Sequence, residues 1–205
     1  VFFIFSHFLN QLNEQEILLL HFCRIKNKKM AKSTWAIDPS HSDVGFKVKH
    51  MMFTNVSGKF NDFEAKVEND DDQFETSTIS FSAKTNSIDT HNIDRDNHLK
   101  SADFFDAERF PTISFKSTGI KKISESEYVL SGDLTIKDVT KSISLDAEYS
   151  GLMKDPWGNI KVGISLTGKI NRKDFGLTWN AALETGGVLV GEEIRLIAEV
   201  QLVKQ

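Results

Sequence analysis

The run Ile194-Arg195-Leu196-Ile197-Ala198-Glu199-Val200-Gln201-Leu202 places an apolar side chain at every second position, with mostly polar residues between. A period of two is the mark of a half-buried β-strand, because successive side chains leave the backbone on opposite faces. The same pattern recurs upstream. Ile160, Val162, Ile164 and Leu166 alternate without a break, as do Ile143, Leu145, Ala147 and Tyr149. Tyr128 and Leu130 are followed, across Gly132, by Leu134 and Ile136. Shorter runs are Val44-Phe46-Val48-His50, Phe63-Ala65-Val67, Ile79-Phe81-Ala83 and Ile113-Phe115. Turn signals separate them at residues 68–72, at Ser131-Gly132-Asp133, at residues 154–158 and at Gly186-Gly187. About eight strands at this spacing predict an all-β protein, an antiparallel eight-stranded barrel.

One stretch breaks the period. Between Thr90 and Ala107 stand Asn92-Ile93-Asp94-Arg95-Asp96-Asn97-His98-Leu99 and then Ser101-Ala102-Asp103-Phe104-Phe105-Asp106. Thr90 or Asn92 can cap a short helix with Asp94 and Asp96 in its first turn. Ser101 can cap a second one that Pro111 stops. The barrel is therefore expected to carry a short helical insertion.

Composition narrows the classes of function. The chain has 205 residues, 40% hydrophobic and 26% charged, which suits one all-β domain. With 25 basic and 29 acidic residues and no basic cluster in the folded part, nucleic acid is not an expected partner. No run approaches the roughly 18 apolar residues of a membrane-spanning helix, so stable membrane insertion is not expected.

Residues 1–29 differ from the rest. They hold five of the 16 Phe, the only cysteine, Cys23, and a basic end from Arg24 to Lys29. Phe, Leu, Ile, Asn and Lys supply 19 of those 29 residues, all with A/T-rich codons. A signal peptide has its positive charge before its apolar stretch and a small-residue site after it; here that order is reversed. The segment reads as translated upstream sequence before a start at Met30. The other readings are an amphipathic helix over residues 13–22 and a degenerate export signal. The barrel domain is assigned to residues 30–205, and the expected location is cytoplasmic, or periplasmic if the leader is an export signal. Residues 30–205 contain no cysteine, which excludes disulfides there.

Few residues suggest chemistry. His41, His50, His91 and His98 are spaced 9, 41 and 7 apart, unlike the short His pairs of zinc sites, so no metal is expected. Arg95, Asp96 and His98 form the most concentrated polar cluster. They could supply an acid, a base and an anion clamp, or simply fix a helix by pairing with neighbouring groups. No Gly-x-Ser-x-Gly elbow is present, and the glycines at 186–191 lack the Lys-Ser/Thr of a phosphate loop. What remains is a large aromatic inventory, with Met51-Met52-Phe53 beside a strand end. A closed eight-stranded barrel either fills its interior with side chains or holds one small ligand.

Several motifs, in order, resemble one family. Trp35-Ala36-Ile37-Asp38-Pro39-Ser40-His41-Ser42 opens the domain, followed by Phe46-Lys47-Val48-Lys49-His50 and Gly58-Lys59-Phe60. Then come Thr90-His91-Asn92, Arg95-Asp96-Asn97-His98-Leu99, and Phe104-Phe105-Asp106 running to Phe110-Pro111-Thr112-Ile113-Ser114-Phe115. Gly132-Asp133-Leu134-Thr135-Ile136, Val139-Thr140-Lys141 and Asn171-Arg172-Lys173-Asp174-Phe175-Gly176-Leu177 complete the set. The chain is similar to the YceI family of bacterial polyisoprenoid-binding, lipocalin-like barrel proteins, from Trp35 to the C-terminus. It departs from the family at Asp138, where members generally carry Gly, a difference expected to alter only a turn.

The resemblance implies a binding protein rather than an enzyme. A polyprenyl or isoprenoid-quinone tail would thread into the barrel, with no cofactor required, the protein serving as a carrier, a store or a stress-related protein. The residues expected to line the tunnel are Phe46, Val48, His50, Met52, Phe53, Phe63, Ile79, Phe81, Phe104, Phe115 and Trp179, with Arg95, Asp96 and His98 as a polar lid. A homodimer is left open. The competing expectations are an enzyme acting on an amphiphile at the barrel mouth through His98, Asp96 and Arg95, and an interaction module with a filled barrel.

Overall fold

A computed structural model describes residues 31–182 and 188–205; the segment expected to be a leader and the turn expected at Gly186-Gly187 lie outside the described residues. Eleven strands follow one another among the described residues. They are β1 (Lys32–Ile37), β2 (Asp43–His50), β3 (Thr54–Phe60), β4 (Phe63–Asp70), β5 (Thr78–Lys84) and the two-residue β6 (Ile88–Asp89), followed by β7 (Thr112–Lys122), β8 (Glu127–Ile136), β9 (Val139–Lys154), β10 (Ile160–Asn171) and β11 (Val190–Lys204). One α-helix, α1 (Ile93–Lys100), sits between β6 and β7.

All pairings are antiparallel, and the order β1-β4-β5-β7-β8-β9-β10-β11 closes on itself where Trp35 and Ile37 of β1 meet Lys204 and Leu202 of β11. The result is a closed eight-stranded barrel. Closure leaves no free edge in those eight strands. β2 and β3 belong to the same wall. Lys32 pairs with Asp70 and Ala36 with Lys66, whereas Gly45 pairs with Lys59 and His50 with Thr54. The segments β1–β2 and β3–β4 are thus the two arms of one long hairpin, whose register slips by two residues at a bend. β11 runs beside the whole first arm, with Leu202 opposite Ile37 and Leu196 opposite Phe46.

The bend has a local cause. Asp38 caps the single turn Pro39–His41, accepting from Ser40 N at 3.1 Å and Ser40 Oγ at 2.6 Å. It also binds His41 Nδ1 at 2.8 Å and accepts from Gln201 Nε2 at 2.9 Å, tying the bend to β11. Hydrogen bonds from the Ser40 and His41 side chains hold the Asp38 carboxyl down at about 2.

Two expectations about breaks are corrected. Gly132 is not a turn: β8 runs through it, and Gly132 faces inward opposite Ser117. A Cβ there would collide with Cζ of Phe115, so the glycine leaves room for that ring. β3, which the periodicity did not reveal, uses the same device. Its inward positions are Val56, Gly58 and Phe60, and the Phe46 ring stands where a Cβ of Gly58 would go. The helical insertion holds one helix, not two. Asn92 caps α1 by accepting from Arg95 N at 2.9 Å, and Ser101 ends it through its N–H to His98 O. Residues 101–110 then form successive turns, with Asp106 N and Phe104 N both donating to Ser101 O.

The β2–β3 connection is a tight turn closed by Phe53 N donating to His50 O. Its central residues, Met51 and Met52, have φ of 50° and 64°. Such turns favour Asn-Gly, and each non-glycine in this region costs roughly 1–2 kcal/mol. The turn at Lys137-Asp138 joins β8 to β9 with Ile136 opposite Val139, so the departure at Asp138 falls in a two-residue turn.

Candidate functional site

The inward phase of the strands builds the interior. Trp35, Leu130 and Phe175 are almost completely buried, and β5, β7 and β8 contribute Ile79, Ile113, Phe115 and Leu134. One end of the barrel is closed by aromatic packing. Phe74 stacks on Tyr149 with centroids 5.0 Å apart and meets Tyr128 edge-on at 5.0 Å. Burial there pushes the Tyr149 phenol up.

The interior is not full. About 240 Å³ is open to the centres of water-sized groups, in a cavity running from Phe74 at the closed end to Leu99, Phe104 and Leu177 at the other. Among the described residues on its wall, Arg172 alone carries a charge. Inward residues of β2, β10 and β11 such as Phe46, Leu166, Leu196 and Val200 are only half-buried, which is exposure to this space.

Six of the eleven residues expected to line the tunnel lie on the wall: Phe46, Val48, Ile79, Phe81, Phe104 and Phe115. The other five do not. Met52 and Phe53 sit on the β2–β3 turn beyond the barrel and are 65% and 81% exposed. His50 has the inward phase of β2 but is its last residue, paired with Thr54 and Val190. Phe63 is the first residue of β4 and packs against Phe81 at 6.5 Å without reaching the cavity. Trp179 lies outside the strands and closes the barrel end instead.

That closure is built from two segments. The Trp179 ring lies 4.6 Å from His98, edge to face, and 5.3 Å from Phe104. His98 also meets Phe104 at 5.1 Å and binds Asp103 Oδ2 through Nε2 at 3.1 Å. Arg95 and Asp96 are spent on Thr90. Asp96, 7% exposed, accepts from Thr90 N at 2.9 Å and from Thr90 Oγ1 at 2.5 Å, while Arg95 Nε donates to Thr90 Oγ1 at 2.7 Å and Nη2 to Thr90 O at 2.6 Å. Asp96 therefore anchors the chain before the helix rather than capping it. The three polar residues do not converge on the cavity, since none of them lies on its wall. Among the described residues, no three His, Cys, Asp or Glu side chains stand close enough to hold a metal.

The residue that sequence reasoning missed is Arg172. It is 2% exposed and directed wholly at carbonyls: Nε to Gly191 O at 2.9 Å, Nη1 to Leu177 O at 2.5 Å and Trp179 O at 2.8 Å, and Nη2 to Val190 O at 3.4 Å. Burial works against its charge, partly offset by Glu192. Its guanidinium fastens the chain after β10 to the start of β11, and so positions Trp179 against His98. The signal was present in the sequence: position 172 continues the apolar phase of Ile164, Leu166 and Ile170.

Comparisons with known proteins agree with this architecture. The model of the YceI-like domain matches residues 35–202. A UPF0312 protein of Staphylococcus aureus strain MSSA476 is 40% identical over 170 residues, covering 82% of this chain and 96% of its own. The crystal structure of a Campylobacter jejuni YceI protein superposes with a TM-score of 0.67 at 37% identity, covering 82% of this chain and 96% of that one. A polyisoprenoid binding domain from Saccharophagus degradans, implicated in plant cell wall breakdown, has a TM-score of 0.64 at 12% identity. It covers 86% of this chain and 100% of its own, and at that identity shares the fold alone.

Proposed function

Since the chain belongs to the YceI-like family, we propose that its barrel binds a long isoprenoid chain, a polyprenyl or isoprenoid-quinone tail, and serves as a carrier without chemical turnover. The observation that carries this reading is the cavity, whose wall is apolar among the described residues except at Arg172. Each methylene withdrawn from water contributes roughly 0.8 kcal/mol, so a long hydrocarbon tail gains affinity by area alone. The commitment of Asp96 Oδ1 and of Arg95 Nε and Nη2 to Thr90 supports a binder over an enzyme at the mouth, because both side chains are held at the start of the helix and neither lies on the cavity wall. The isoprenoid class is supported by the polyisoprenoid binding domain of Saccharophagus degradans, which has the same barrel.

Phe81 lies across from Phe115 and Ala65 on the cavity wall. Phe81→Trp adds volume where a ligand would lie. Protein expressed in a bacterium that makes long isoprenoids is purified, extracted with organic solvent and analysed. The wild type is expected to release isoprenoid, and the folded variant severalfold less. Equal recovery from both would place the ligand outside the barrel, and no isoprenoid from the wild type would overturn the reading.

A further inference from the structure

The β2–β3 hairpin ends in an apolar tip that the barrel does not use. Met52 and Phe53 are 65% and 81% exposed, at the cavity end opposite Phe74. The tip is tied to that end by Met51 N donating to Leu189 O at 2.8 Å. Its turn holds two methionines in left-handed backbone that Asn-Gly would adopt without strain. A strained turn with two exposed apolar residues gains nothing for the fold and indicates a surface made to meet something else.

Charge says what. From Val44 to Phe60 the hairpin carries Lys47, Lys49 and Lys59 and no acidic residue, in a chain of net charge −4. Lys59 faces Asp89 across the β3–β6 pair, but Lys47 and Lys49 are exposed and in no ion pair among the described residues. The glutamates at the neighbouring end of β11 are already engaged, Glu192 by Lys173 and Glu193 by Lys169 and Arg195. We propose that Met52 and Phe53, backed by Lys47 and Lys49, form a finger that docks the barrel mouth on an anionic lipid bilayer.

The dimensions fit. A strand rises about 3.3 Å per residue, and Lys49 is the last residue but one of β2, so it stands directly behind the turn that carries Met52. Apolar faces of interfacial segments settle about 5–10 Å into the headgroup and acyl boundary, which puts the ammonium group among lipid phosphates. The second exposed apolar hairpin lacks this setting. Leu152, Met153 and Trp157 flank Lys154 and Asp155 on the opposite end, closed by Phe74 and the two tyrosines. It is the internal control. The docking surface stands on the hairpin alone, whichever lipid the cavity holds.

Full-length protein is sedimented with vesicles of phosphatidylglycerol and, separately, of phosphatidylcholine. The wild type is expected to bind the anionic vesicles and to be released by salt. The double variant Met52→Ser/Phe53→Ser should bind them about tenfold or more weakly, and Trp157→Ser should bind as the wild type does. Absence of wild-type binding, equal binding by the double variant, or loss confined to Trp157→Ser overturns the proposal. So does a wild-type dimer that the double variant abolishes with vesicle binding unchanged, since the tip would then meet a second copy. Isoprenoid content measured on the same preparations reports on the cavity separately, so either reading can fail without the other.

Discussion

Replacing Arg172 by Met would test whether one buried cation holds the mouth of the barrel together. The thioether chain fills much of the guanidinium's space, so the cost comes chiefly from hydrogen bonds rather than from a cavity. Three carbonyls, of Leu177, Trp179 and Gly191, lose their donor. Val190 O keeps a bond from Asn180 Nδ2 at 2.7 Å. A buried acceptor left unsatisfied costs about 1–3 kcal/mol, and water entering from the outer side of the loop relieves part of it. Removal of a buried cation's desolvation cost offsets a further part. The net expectation is a loss of about 3 kcal/mol, read as a lower urea midpoint with unchanged slope. Arg172→Lys should recover less than half, because an ammonium cannot present the planar fork that spans Gly191 and Leu177. Fluorescence of Trp179 should shift to the red in Arg172→Met as its contact with His98 loosens. A loss below about 1 kcal/mol, or full recovery by lysine, would refute the clamp.

Gly132→Ala puts a methyl group against the Phe115 ring and 2.6 Å from Lys116 O, and should cost about 1–3 kcal/mol in thermal or urea unfolding. Asp96→Ala strands the buried Thr90 N–H and should cost about 1–3 kcal/mol, with loss of amide protection in α1. Met51→Asn/Met52→Gly should raise stability by about 1–2 kcal/mol, read as a higher melting temperature. The Asp38 carboxyl is held at about 2 against an ordinary 3.8, so its contribution is present above the ordinary value and lost as pH falls toward the lower one. The stability gap between wild type and Asp38→Asn should therefore shrink by about 1–2 kcal/mol between pH 5 and pH 2, after allowance for solvent screening.

The barrel was legible because its strands alternate, and a closed sheet with one face inward enforces that period on nearly every strand. β3 was missed because its inward face reads Val56-Gly58-Phe60, and a glycine in such a run looks like a break. Gly132 misled in the same way. Both mark places where a phenylalanine of the neighbouring strand fills the inward space, which no single-strand pattern can reveal. The cavity wall was legible where phase decides it, as at Phe46, Phe81 and Phe115. It was not legible at His50 and Phe63, because phase does not say how far along a strand the bore extends. Met52 and Phe53 were drawn inward by their apolar character, although the connection from Met51 to Phe53 between β2 and β3 projects them outward. The second helix after Ser101 does not form although Ser101 Oγ accepts from Asp103 N at 3.3 Å, because the N–H groups of Phe105 and Ala107 donate back to Leu99 O and Lys100 O and close turns instead. Arg172 was readable as a charge on an apolar phase, but its carbonyl partners come from distant segments of the chain.

Native mass spectrometry of the purified full-length protein shows whether the barrel interior holds an isoprenoid tail. A barrel that holds one gives adduct masses in a series spaced by one isoprene unit, lost when the protein is extracted with organic solvent and depleted in Phe81→Trp. A spectrum of the unliganded mass alone, from a host that makes long isoprenoids, or adducts spaced by two-carbon acyl units, would contradict it.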